Sequence, residues 1–328
     1  MSKKISDPIV SLNNHETEKG STRLEINISG SKIDYVVVST LRRMILSEVP
    51  IYAFTNFTFN KNTSVFHNNF IKNQIMNMPV WGIKNKIEYY EEKNVESNVV
   101  DNNNDEIEDN VDLSVDKNID TTSLEQLTMY VDYENKTNDI VSVTTNDVKF
   151  YFAQKNIDNP YNRPIQIVKL QPKQSINFSV VTSVGIEKTS SIFSPVSVCC
   201  YSEKAPDNYN FILESRGQLE EKQILHIAII NLKKKLENII KQISNNNELL
   251  GELIIINEDH TVGNLLTHYL QSDKHVSFAG YNMPHPLEKR VIINYKLKSG
   301  NIKEILSNKI DEIIELYTYL DEQFKKLY

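Results

Sequence analysis

Two apolar stripes at helical spacing constrain this chain more than anything else in it. Leu225, Ile229, Leu232, Leu236, Ile239 and Ile243 follow one another at intervals of four and three, and so do Leu306, Ile310, Ile313, Tyr317, Leu320, Phe324 and Leu327. Residues so spaced share one face of an α-helix, which predicts helices over about 219–243 and 302–327. A stripe of that length needs a covering surface. The chain carries two of them, and packing one on the other is the economical solution. Leu225, Leu232, Leu236 and Ile239 would then meet Leu306, Ile313, Tyr317 and Leu320.

The segments ahead of these helices repeat a pattern. Leu24, Ile26 and Ile28 alternate as a strand does, and Val38, Leu41 and Ile45 follow at helical spacing up to Pro50. An aromatic strand region, Tyr52 to Phe59, and a short helix within 64–80 come next. Leu250–Ile256 reads as another strand, followed by a helix and a strand at 289–297. Strand, helix, strand and long closing helix thus occur twice, which points to two related modules joined head to tail. Between them the joint 244–249 reaches at most about 20 Å, so each module holds the other at an effective concentration in the millimolar range, roughly. The expected organisation is a flexible N-terminus over 1–20, a first module made of 21–82 and 205–243, an inserted β-rich domain over 83–204, the linker 244–249 and a second module over 250–328. The fold class is α+β.

Charge is unevenly placed. Residues 91–120 hold eleven Asp and Glu against two Lys, a net −9 within a chain of net −7, so the remainder is about +2. The stretch 91–122 is too poor in large apolar side chains to offset its ordering entropy, and it reads as a mobile acidic segment. A near-neutral body has no general attraction for nucleic acid. The two cysteines, Cys199 and Cys200, are adjacent, which neither favours a disulfide nor supplies the spaced pairs of a zinc site. MSKKISDPIV has no apolar leader core, and no stretch approaches the length of about 18 apolar residues that crosses a membrane. These features suggest an intracellular chain of a reducing compartment.

Residues at both ends carry a resemblance. In the first module they are Thr40–Met44 (TLRRM), Ser64–His67 with Phe70 and Ile71, Val143–Asp147, Pro164–Leu170 with Gln174, Ser194–Val196, and Phe211–Gly217 (FILESRG). In the second they are Glu258, Asp259, His260, Thr261, Gly263, Asn264, Phe278–Tyr281, and His285, Pro286 and Leu287. The first set resembles the larger alpha-like subunit of multisubunit DNA-dependent RNA polymerases (eukaryotic third subunit, archaeal D, bacterial alpha N-terminal domain). The second is similar to the small one (eukaryotic eleventh subunit, archaeal L). A fusion of both resembles what large nucleocytoplasmic DNA viruses carry. The resemblance implies a non-catalytic assembly platform without cofactor or metal. It further implies the largest and second-largest polymerase subunits and a small subunit of the tenth-subunit type as partners, no homodimer, no membrane, and DNA or RNA reached only through the complex. Location would be the host cytoplasm, in the viral factory, and the virion. Leu41, Arg42 and Arg43 would face the second-largest subunit, since a guanidinium suits a partly buried interface. The cysteines that hold zinc or an iron–sulfur cluster in some relatives are missing, and Lys188–Pro195 lacks the His and Trp often found there.

Other chemistry has weaker footing. Asp259 beside His260 invites a catalytic pair, and His260, His268 and His285 a zinc site, but neighbouring side chains diverge on a helix. Asp259 or Thr261 serves better as the cap of a helix starting near Val262. Gly263 stands outside any glycine-rich phosphate loop. The competing functional classes are a stand-alone nucleic-acid-binding factor, for which no basic cluster with interleaved aromatics exists, and a metal-dependent enzyme. Deleting part of 95–120 is expected to leave assembly with the large polymerase chains intact. Loss of their co-purification would make the acidic stretch a contact.

Overall fold

A computed structural model describes residues 8–18, 21–83, 126–243, 248–285 and 288–327. The acidic segment 91–122, most of the linker and Pro286 lie outside the described residues. The chain divides into two compact units, Met1–Val49 with Ser194–Tyr328, and Pro50–Phe193. Strands and helices are numbered along the chain.

In the first unit, β1 (Ile9–Glu18), β2 (Ser21–Ser29), β10 (Val196–Ala205) and β11 (Asn208–Ser215) form an antiparallel sheet of order β1-β2-β11-β10. Helix α1 (Tyr35–Ser47) follows β2, and α3 (Glu221–Gln242) follows β11. The second half repeats this. Strands β12 (Leu250–Ile256), β13 (Val276–Asn282) and β14 (Arg290–Leu297) form a sheet of order β12-β14-β13, with α4 (His260–Gln271) after β12 and α5 (Ile302–Lys325) after β14. Without β1 the two sheets have the same strand order, and each module runs strand, helix, hairpin, long helix. Leu24, Ile26 and Ile28 lie opposite Leu213, Phe211 and Tyr209 on the buried face of one sheet. Leu253 and Ile255 lie opposite Ile293 and Val291 in the other. Both short helices start on an aspartate, Asp34 accepting from Val37 N and Asp259 from Thr261 N, each satisfying an orphan donor of the first turn. Helix α4 therefore begins at His260, two residues earlier than its apolar pattern suggests.

In the second unit, β3 (Ile51–Asn62), β9 (Ser175–Gly185), β4 (Leu127–Glu134), β6 (Lys149–Phe152) and β7 (Lys155–Ile157) form a sheet in that order, and β5 (Val141–Thr144) pairs with β8 (Gln166–Leu170). Helix α2 (Asn68–Met76) turns Ile71 and Ile75 into a core shared with Phe54, Met129, Phe150, Phe178 and Val180. A 3-10 turn, Ser191–Phe193, ends the unit.

Three expectations need correction. Residues 9–18 are not loose: they form β1, whose polar sequence lacks apolar alternation and which is held by its ladder to β2, with Glu16 opposite Arg23. The first module does not extend to 82. β3 is paired along its length with β9, so the insertion begins at Pro50 and takes α2 with it. Nor does the insertion run to 204, because β10 pairs with β11. In each case cross-strand pairing, which local periodicity cannot report, sets the boundary.

Helix α4 lies so close to its sheet that a Cβ built on Gly263 would stand 2.7 Å from the Tyr281 ring and 3.0 Å from Val291 Cγ1. Gly263→Leu is expected to destabilise the protein by about 1–3 kcal/mol through overpacking, although leucine is the better helix former. A lowered urea midpoint at unchanged slope would register it.

Candidate assembly interface

Four helices of the first unit make a closed ring. α3 packs against α5, α5 against α4, α4 against α1 and α1 against α3. Each helix thereby meets its counterpart in the sister module. Leu225, Leu232, Leu236 and Ile239 of α3 and Leu306, Ile313, Tyr317 and Leu320 of α5 are all buried. Removing an aliphatic side chain of this size from water stabilises by about 1.5–3 kcal/mol. The stripes read from the sequence are the ones that lie inside.

Polar groups stitch the same seam. The Tyr317 hydroxyl, fully buried on α5, donates to the Val37 carbonyl of α1 at 2.9 Å, and burial raises its pKa well above the usual tyrosine value. Arg43 Nε donates to Thr261 Oγ1 at 2.7 Å. Asp34, besides capping α1, lies 2.6 Å from His268 Nε2. His226 Nδ1 on α3 is 2.8 and 3.0 Å from the carboxylate oxygens of Asp321 on α5, which also meets Lys325 at 2.8 Å. A buried ion cluster centres on Lys235, whose ammonium lies 3.1 Å from Glu48 at the end of α1 and 3.3 Å from Glu258 just before α4. Burial works against that charge, but Glu258 and Glu48 outweigh it and hold the lysine above its ordinary range.

The residues singled out from sequence separate accordingly. Glu258, Thr261 and Gly263 belong to the seam or to the packing beneath it. His260 stands edge-on to Tyr281 with centroids 5.9 Å apart, Asn264 is half-buried and His285 is exposed. His268 pairs with Asp34 rather than with the other histidines. Among the described residues no group of three or more His, Cys, Asp or Glu is placed to hold a metal ion. Cys199 is buried and Cys200 exposed, both as free thiols. Leu41 is corrected: it is 1% exposed, at the centre of the α1 stripe with Val37, Val38, Met44 and Ile45, so it serves the core and not an outer surface. Arg42 is half-buried and Arg43 exposed. Sequence reasoning missed Asp34, Glu48, His226, Lys235 and Asp321. For Lys235 a signal existed, since it sits one turn from both Leu232 and Ile239 and so on the edge of the apolar stripe.

Removing Lys235 would leave Glu48 and Glu258 facing each other in a poorly solvated site. Lys235→Ala is expected to cost about 3 kcal/mol, the lower end for breaking a buried pair, read as a shift in the urea midpoint. In the native chain a lysine pKa raised on folding contributes stability in full below the unfolded value of about 10.4 and loses it only as pH climbs through the folded value. Thermal unfolding measured from about pH 7 to about pH 9 is therefore expected to be flat with respect to this group.

Comparison with known proteins agrees with this geometry. Residues 28–236 match the RNA polymerase Rpb3/Rpb11 dimerisation domain, and residues 251–323 match a second form of that domain. The DNA-directed RNA polymerase subunit R470 of Acanthamoeba polyphaga mimivirus is 26% identical over 324 residues, covering 92% of this chain and 90% of its own. The RPAC2 subunit of RNA polymerases I and III from Caenorhabditis elegans is 35% identical over 77 residues, covering 23% of this chain and 54% of that one. The RNA polymerase II subunit rpb11 of Dictyostelium discoideum is 38% identical over 71 residues, covering 21% and 59%. With one match spanning more than half of its length and a second following it, the chain belongs to the RNA polymerase Rpb3/Rpb11 dimerisation family and is a polymerase subunit carrying two such modules fused in a single polypeptide.

Proposed function

We propose that this chain is the non-catalytic platform on which the two largest chains of a multisubunit DNA-directed RNA polymerase assemble. The observation that carries the reading is the α1–α3–α5–α4 ring. Both partners of a dimerisation contact are supplied by one polypeptide and are already paired, with a buried apolar centre and a polar rim. Such a unit is pre-organised: its ordering cost is met on folding, which leaves its outer surfaces free to bind large partners without further loss. Arg42, half-buried, and Arg43, exposed although its Nε is held by Thr261, are the residues we assign to contact with the second-largest subunit. The largest subunit and a small subunit of the tenth-subunit type complete the partner set. Kinship over nearly the whole chain with a mimivirus protein supports a viral polymerase at work in the host cytoplasm and carried in the virion.

A stand-alone nucleic-acid-binding factor is the rival. It requires a basic surface that the near-neutral body does not provide.

Purification distinguishes the two. The tagged chain is expected to co-elute with two chains well above about 100 kDa, the size class of the polymerase core chains. Alone it is expected to bind duplex DNA weakly, without the steep salt dependence of a phosphate-contacting protein. Leu232→Asp and Ile313→Asp each bury an unpaired charge in the α3–α5 contact, costing several kcal/mol, and are expected to abolish co-elution. Normal assembly by both variants would remove the seam from the function.

A further inference from the structure

The internal repeat exposes a vacancy. In the first module β1 pairs along the outer edge of β2, whereas among the described residues no strand pairs with the outer edge of its counterpart β12. Leu297 N donates to Leu249 O and Asn257 N to Lys289 O. Odd-numbered residues of β12 thus bond to β14, and the backbone groups of Leu250, Glu252, Ile254 and Ile256 point to the open edge. Among the described residues the chain reaches back to this edge only at the end of the strand, with Ile256 N donating to the Gln242 side chain.

The side chains of the same residues face solvent, and they are the wrong kind for a bare edge. Leu250 is 69% exposed, Ile254 52% and Ile256 58%, with Phe278 of β13 55% exposed. The corresponding face of β2, which already has its neighbour, carries Arg23, Glu25 and Asn27. A flat aliphatic edge strand pairs readily with another chain, and natural proteins blunt such edges unless they are used. We propose that β12 receives an extended segment of another polymerase chain by antiparallel strand addition. This rests on the chain's place in a polymerase assembly.

The occupant can be described. It has apolar residues at alternate positions, to lie beside Leu250, Ile254 and Ile256, and a Lys or Arg opposite Glu252, as Arg23 lies opposite Glu16 in the β1–β2 pair. A second copy of this chain fits less well. No antiparallel register of two copies sets all three aliphatic residues against one another: Leu250 opposite Ile256 puts Ile254 opposite Glu252 with the two glutamates diagonal, and Leu250 opposite Ile254 puts Glu252 directly opposite its own copy, like-charge contacts that cost stability.

Hydrogen exchange of the β12 amides in the free chain and in the purified polymerase tests the proposal. The amides of Glu252 and Ile254 are expected to exchange rapidly in the free chain and at least about 10-fold more slowly in the complex. Ile254→Pro removes an edge donor while sparing the ladder to β14. It is expected to weaken retention of the partner chain in the complex while leaving the unfolding midpoint of the free chain close to that of the parent. Complexes that form with both amides still fast overturn strand addition and leave the platform reading standing. Failure of the large chains to co-purify overturns both. Protection already present in the free chain overturns the proposal as well: if it grows with concentration alongside a doubled mass, the occupant is a second copy, and if it is independent of concentration, the edge is covered from within.

Discussion

The contact of α3 with α5 holds the first unit together, and its two components do different work. The apolar stripes supply attraction that is non-directional and nearly indifferent to register. The polar contacts remove that freedom. Sliding α3 by one turn, about 5.4 Å, would take Lys235 away from Glu48 and Glu258 and His226 away from Asp321. The seam would then hold buried charges without partners. A buried ion cluster adds little net stability over an apolar replacement; at this seam it selects one alignment among many that would bury similar area.

From that alignment the rest of the architecture follows. With the long helices fixed, α1 meets α4 and the ring closes. Tyr317 reaches Val37, Arg43 reaches Thr261 and Asp34 reaches His268, so each end of the short helices is tied to the sister module. The modules share strand order and helix placement, yet differ in what has been added. The first carries β1 and, between α1 and β10, the insertion Pro50–Phe193. Among the described residues the second carries neither, and the outer edge of its β12 is aliphatic where the first module's outer face is polar.

Much of this was legible in the residues because it depends on local periodicity. The 4-3 spacing of Leu225 to Ile239 and of Leu306 to Phe324 marked both long helices and the faces they bury, while Leu327 falls past the end of α5 and is half-buried. Asp259 signalled a helix start by its residue type. What stayed hidden depends on partners far along the chain. Nothing near β3 says that it pairs with β9, nor near β10 that it pairs with β11. β1 was invisible because its order comes from a neighbouring strand rather than from burial. In the Lys233–Lys234–Lys235 run, residue type alone cannot tell which ammonium is drawn under two carboxylates.

The sequence by itself determined that this chain has two helix-closed modules, a β-rich insertion and two stripes that had to be covered, because each is set by residue spacing along a few turns or strands. Only the tertiary structure decided where the insertion begins and ends, that Leu41 lies inside while Arg43 bonds across to Thr261, 218 residues away, and that no strand among the described residues pairs with the outer edge of β12. Those are matters of which surfaces meet, and that is settled by the competition among all possible pairings of the folded chain rather than by any segment alone.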